Sequence, residues 1–257
     1  MNPLSAEEAE QLAASCPLEE VARLVHSPVE RILLALVRNP VLTENEILML
    51  LSRKNLTGNV IEEISQSKKW LASYAIKRAI AKHPRTPTRV SLELLKFLFV
   101  FDLVSVSLQP AVPHEVKKLA ESLILSQLPK LPLGQQIALA RRSTSQIAGE
   151  LLGKENQLII QAALDNPNLN EATVIKILNR PDCSAQLVEA LAKHRKWSIT
   201  YEVRLALLRC NCLSMANVLR FIPDLRVSDL RELAVAPKVS PQVRDYIQRV
   251  LARSRKS

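Results

Sequence analysis

Glycine is scarce in this chain, 4 residues in 257 against 15 prolines. Tight turns that need a left-handed backbone, in β-hairpins and phosphate-binding loops alike, are therefore nearly unavailable. Gly-x-Gly-x-x-Gly, Gly-Lys-Ser/Thr and Gly-x-Ser-x-Gly are all missing, which removes the common nucleotide-binding and nucleophile-elbow signatures. The four histidines, His26, His83, His114 and His194, are scattered, with no His-Glu-x-x-His pair and no cysteine at catalytic spacing. The expectation is a protein without catalytic activity and without a cofactor.

Cysteine is also sparse: Cys16, Cys183, Cys210 and Cys212. All four lie in apolar stretches with no secretory signal ahead of them, which points to a reduced, cytoplasmic setting and to buried small hydrophobes. Cys210-Asn211-Cys212 has a one-residue gap, unlike zinc-ligand spacing, and no second pair accompanies it, so no metal is expected. Long apolar runs are missing too. The most lipid-like stretch, Val90 to Leu108, is interrupted by Glu93, Lys96 and Asp102, short of the roughly 20 residues a spanning helix needs. It reads as core. The first segment carries Glu7, Glu8 and Glu10, which does not fit a signal or transit peptide.

What the chain does have is 47% hydrophobic residues and a long internal repeat. Asn39-Pro40-Val41-Leu42-Thr43-Glu44 lies over Asn166-Pro167-Asn168-Leu169-Asn170-Glu171 at a shift of 127 residues (166 − 39). The same shift carries Arg53 to Arg180, Glu62 to Glu189, Lys69-Trp70 to Lys196-Trp197, Tyr74 to Tyr201, Asp102-Leu103 to Asp229-Leu230, Pro110 to Pro237 and Val116 to Val243. A gapless match of this length indicates tandem duplication. Copy one is then 1–127 and copy two 128–257, within a single helical-repeat domain.

Helix starts are legible within each copy. Ser5, Ser27, Thr43 and Asn59 each precede a glutamate by three residues, the pattern of a capping box. Ser27-Pro28, Thr86-Pro87 and Ser240-Pro241 place proline at the first helical position, where a missing N–H is harmless. Between these starts Ile47, Leu50 and Leu51, then Val174, Ile177 and Leu178, then Leu187, Val188 and Leu191 recur at helical spacing, and no window alternates long enough for a strand. The expected fold is all-α, with about eight or nine short helices per copy stacked as an α-solenoid, because short amphipathic helices cannot bury their faces alone.

The Asn-Pro runs Ala35-Leu36-Val37-Arg38-Asn39-Pro40 and Ala163-Leu164-Asp165-Asn166-Pro167 resemble the helical repeats of bacterial HEAT-like and leucine-rich-repeat-variant proteins over most of the chain. The resemblance implies an α-α superhelix acting as a binding scaffold. One place departs from it: His83-Pro84-Arg85-Thr86-Pro87 becomes Cys210-Asn211-Cys212-Leu213-Ser214 in copy two. HEAT-like DNA glycosylases resemble this architecture too, but their site has no residue-by-residue match here.

Charge gives the strongest functional hint. Lysine and arginine total 35 against 25 acids, a formal net of +10. Lys68, Lys69, Lys77, Arg78, Lys82, Arg85 and Arg89 form a run without an acid among them, and Lys193, Arg195, Lys196, Arg204 and Arg209 occupy the matching region. The binding candidates are Lys77, Arg78, Lys82, Arg85 and Arg89 in copy one, with Arg204 and Arg209 in copy two. The partner class is a protein, with acidic character favoured, and nucleic acid is the alternative; an anionic membrane surface also fits the charge. The competing reading is a solvated outer face. Trp70 and Trp197 each have a tyrosine four residues on, which puts both rings on one face if the segment is a continuous helix. Core packing, with the indole N–H on a backbone carbonyl, is the expected role. Asp102 and Asp229 read as helix-start residues.

Overall fold

The structure is a computed structural model describing residues 6–237 and 239–254. Its first ten helices are α1 (Ala6–Ser15), α2 (Leu18–Leu24), α3 (Glu30–Val37), α4 (Glu44–Ser52), α5 (Gly58–Gln66), α6 (Lys68–Leu71), α7 (Tyr74–Lys82), α8 (Thr88–Leu95), α9 (Val100–Leu108) and α10 (His114–Gln127). The next nine are α11 (Leu133–Arg142), α12 (Ser145–Leu152), α13 (Gln157–Leu164), α14 (Glu171–Leu178), α15 (Ala185–Lys193), α16 (Tyr201–Leu208), α17 (Met215–Phe221), α18 (Val227–Val235) and α19 (Pro241–Ser254). There is no strand among the described residues; the fold is all-α.

The expected apolar positions are the buried ones. Ile47, Leu50 and Leu51 of α4, Val174, Ile177 and Leu178 of α14, and Leu187, Val188 and Leu191 of α15 are all core. Helix starts follow local chemistry, with some shifts. Thr43 caps α4 as expected, its N–H donating to Glu46 Oε2 at 3.0 Å. Asn59 is not a cap: α5 begins at Gly58 after Thr57, and the Asn59 amide donates instead to Glu30 Oε1 at 2.8 Å. Ser27 accepts from the Val29 N–H at 3.2 Å, and α3 starts two residues after Pro28. Pro87 occupies the cap position of α8, whereas Pro241 is the first residue of α19, as expected. Ser5 lies outside the described residues.

By packing, the chain divides into two compact units, Met1–Pro129 and Lys130–Ser257. In the first, α1 packs on α3 and α3 on α5, while α4 packs on α7 and α7 on α9. In the second, α11, α13 and α15 form one row and α12, α14 and α16 another. The ends of α3, α5 and α9, shifted by 127 residues, are those of α13, α15 and α18.

Side-chain hydrogen bonds tie each repeat to the one before. Asn39, almost fully buried, donates through Nδ2 to the Ala13 and Cys16 carbonyls at 3.0 and 3.1 Å and accepts from the Val41 N–H at 2.9 Å. Asn166 makes the same three bonds, to the Ala140 and Ser143 carbonyls at 2.8 and 3.0 Å and from the Asn168 N–H at 2.8 Å. Every donor and acceptor of these buried amides has a partner except for spare lone pairs, the condition under which a buried polar side chain is tolerated. The Asn-Pro motif is thus a bracket closing the ends of preceding helices, α1 and α11.

Candidate functional site

In the stretch linking α8 to α9, Phe97, Leu98, Phe99, Val100 and Phe101 alternate outward and inward. Leu98 and Val100 are buried, while Phe97, Phe99 and Phe101 are 60%, 69% and 45% exposed. Alternate residues of extended backbone face opposite sides, and Phe99 is extended. Three exposed phenyl rings in five residues are costly to leave in water, since fully burying one stabilises by about 1.5–3 kcal/mol.

Helix α7 stands beside this turn. Tyr74, Lys77, Arg78 and Lys82 fall on one of its faces at helical spacing. The Tyr74 ring lies 4.7 Å from that of Phe99, and the Lys77 ammonium lies 5.0 Å from the centroid of Phe97. Tyr74 donates its hydroxyl proton to Asp102 at 2.5 Å and accepts from the Phe99 N–H at 3.0 Å. Burial, and then the bond to Asp102, push the Tyr74 phenol up, so it remains a donor at neutral pH. Asp102 sits in the first turn of α9, as expected. It also pairs with Lys82 at 3.2 Å and Arg78 at 3.9 Å. Lys77, Arg78 and Lys82 therefore surround one carboxylate and leave an excess of positive charge next to the rings. Lys96, exposed at the start of the turn, adds to it.

The other predicted cations are not part of this corner. Arg89 pairs with Glu62 at 3.1 Å and Glu93 at 3.9 Å. Arg85 is exposed in the link between α7 and α8, with no side-chain partner among the described residues. In the second unit the counterpart of Lys77 is Arg204, which donates to the Ser198 carbonyl at 2.6 Å and pairs with Asp224 at 2.7 Å. Arg209 pairs with Glu232 at 2.7 Å. The positions matching Phe97, Phe99 and Phe101 are Asp224, Arg226 and Ser228. Arg226 covers the Tyr201 ring at 5.3 Å, where the first unit has Phe99. The aromatic and basic corner thus belongs to unit one, and its counterpart is converted to ion pairs. The phenylalanines went unnoticed in the sequence, although their alternation with Leu98 and Val100 was a readable signal.

Both tryptophans are core. Trp197 donates its indole N–H to the Leu164 carbonyl at 3.1 Å. Lys69 lies over the ring of Trp70 at 4.2 Å and donates to the Leu42 carbonyl at 3.0 Å; Lys196 lies over Trp197 at 4.1 Å and donates to the Leu169 carbonyl at 3.4 Å. The helix that would align each tryptophan with its tyrosine is interrupted: Trp70 belongs to α6, and Ser73 caps a new helix from Tyr74. Trp197 lies in a 3-10 turn ahead of α16. Of the cysteines, Cys16 alone is buried; Cys183 and Cys210 are half-buried and Cys212 is exposed, which corrects the expectation of four buried thiols. No group of three or more His, Cys, Asp or Glu among the described residues is arranged to hold a metal ion. No helix among them is long and apolar enough to cross a membrane. No protein-family model, curated protein or solved structure matches the chain.

Proposed function

We propose that this chain is a non-catalytic binding scaffold, an α-solenoid of HEAT-like repeats in two tandem copies, whose partner is a protein segment combining acidic and apolar side chains. The architecture is supported by the repeated helix ends and the repeated Asn39 and Asn166 brackets. It is supported too by bonds such as Lys69 to Leu42 and Tyr74 to Asp102, which span 27 and 28 residues, about one repeat. The function rests on one observation: Phe97, Phe99 and Phe101 stand exposed beside Lys77, Arg78 and Lys82. Apolar side chains of a partner would supply the affinity by covering the rings, and its carboxylates would pair with the cations and set orientation. Nucleic acid is the second reading, favoured by the same rings beside cations, since bases stack on aromatic side chains over a basic groove.

The test uses full-length protein and labelled peptides alternating Leu or Phe with Asp or Glu, against peptides of the same pattern with Lys for the acids. Fluorescence anisotropy should show the acidic series binding at least about tenfold tighter, equivalent to about 1.4 kcal/mol. Replacing all three phenylalanines by serine should abolish the preference while leaving the melting temperature unchanged. Equal binding of both series, or a triple variant that binds like the parent, would overturn the proposal.

A further inference from the structure

The place where the second unit departs from the repeat pattern also differs in packing. In unit one, Leu56 is buried there, and His83 reaches the Arg53 carbonyl through Nε2 at 2.9 Å while its Nδ1 accepts from the Arg85 N–H at 3.2 Å. A shift of 127 residues turns Leu56, His83 and Arg85 into Cys183, Cys210 and Cys212. The smaller side chains line an open cavity of about 430 Å³, shared with Arg180, Arg209 and Pro237. Three thiols far apart in sequence are brought to one cavity beside two guanidinium groups.

Cys183 precedes Ser184, the cap of α15, whose Oγ accepts from the Leu187 N–H. It therefore lies near the positive end of that helix. Its sulfur is in hydrogen-bond contact with Cys210, whose own sulfur also lies 3.4 Å from the Ala206 carbonyl and 3.7 Å from that of Leu178. The Cys210 S–H thus has three acceptors within reach, one of them the Cys183 sulfur. That bond holds the Cys183 thiol below its ordinary range, against the opposing effect of burial, whereas burial and the nearby Cys183 push Cys212 up. Burial likewise raises Cys16. Thiolate character and access decide which cysteine reacts.

We propose that Cys183 is a peroxide-reactive thiol and that Cys210 resolves it, so that oxidation forms a Cys183–Cys210 disulfide bridging consecutive repeats of unit two. The Cys183 thiolate attacks one oxygen of hydrogen peroxide; the O–O bond breaks, and the departing hydroxide takes a proton to become water. The sulfenic acid on Cys183 is then attacked by the Cys210 sulfur. The S–S bond forms, the S–OH bond breaks, and hydroxide leaves with the Cys210 proton as a second water. Peroxide is reduced by two electrons, and the two thiols are oxidised by two.

The experiment treats reduced full-length protein with hydrogen peroxide, blocks remaining thiols with iodoacetamide and maps peptides by mass spectrometry. The expected product is the Cys183 and Cys210 peptides joined with loss of two hydrogens. In Cys210→Ser or Cys210→Ala, whichever keeps the parent's melting temperature, dimedone should trap a sulfenic acid on Cys183. In the parent, the iodoacetamide rate at Cys183 should rise with pH through a midpoint below the ordinary thiol value of about 8.5. It should exceed the Cys212 rate at neutral pH by about tenfold, and the midpoint should move up when Cys210 is replaced. A disulfide from Cys183 to Cys212 would overturn the role of Cys210. Oxidation that spares Cys183, or that is no faster there than at Cys212 or Cys16, would overturn the proposal.

Discussion

At the scale of the residue, the asparagines of the Asn-Pro motifs carry a role the sequence only hinted at. The repetition of Asn39 and Asn166 was readable, but not that each amide would sit almost fully buried, holding two carbonyls and one N–H. A bracket between residues 23 to 26 apart leaves no trace in local spacing. It makes an asymmetric prediction. Asn166→Ala removes the donors and leaves buried carbonyls unpaired, at about 1–3 kcal/mol. Asn166→Asp is nearly the same shape but points carboxylate oxygens at the Ala140 and Ser143 carbonyls, so it should be worse than alanine at neutral pH. Urea unfolding of the two variants at neutral pH checks the order, and an aspartate variant as stable as the parent would refute the bracket.

Helices are the scale at which sequence reading worked best and also where it slipped. Apolar spacing placed α4, α14 and α15 correctly, because a buried stripe leaves a direct record in residue type. The breaks before Tyr74 and Tyr201 were missed: serine and threonine there are common in helices, and only the packing of both tryptophans into the core forces a new start. Close helix approach is another property that spacing does not show. Gly149 of α12 is buried, and a Cβ there would lie 2.5 Å from Thr173 Cγ2 and 3.2 Å from Ile177 Cδ1 on α14. Thr173 is held in place, its hydroxyl accepting from Ser145 Oγ at 2.8 Å. Gly149→Ala should gain about 1 kcal/mol in helix propensity, yet lose about 1–3 kcal/mol to overpacking, for a net loss. Thr173→Ser deletes the clashing methyl and keeps the hydroxyl, so the double variant should recover stability that Gly149→Ala loses. Thermal melts of the four proteins in this cycle measure the coupling, and additive effects would exclude a steric contact.

At the scale of the whole molecule, the formal charge of +10 draws any polyanion nearer, but which charges are available decides what is held. Arg89, Arg204 and Arg209 are already paired with Glu62, Asp224 and Glu232, and opening such pairs offsets what a phosphate would return. Charge runs show in a sequence; their partners, contributed by helices 20 or more residues away, do not. Lys77, Arg78 and Lys82 remain, sharing Asp102. Three phosphate contacts would give a slope of log affinity against log salt of about −2.7 on duplex DNA and about −2.1 on single strands. An acidic and apolar protein segment would weaken less with salt, because covered phenyl rings do not respond to screening, while rim charges act mainly on the rate of encounter. The two readings therefore part in a titration of duplex DNA, single-stranded DNA, RNA and the acidic peptides at about 50 and 200 mM salt. The expected outcome is weak, steeply salt-dependent binding to all three nucleic acids, unchanged when Phe97, Phe99 and Phe101 are replaced by serine, beside peptide binding that survives salt and requires the rings. Tight binding to a single strand that is lost with the phenylalanines would instead make the same corner a base-stacking platform, and the protein-scaffold proposal would give way to nucleic acid.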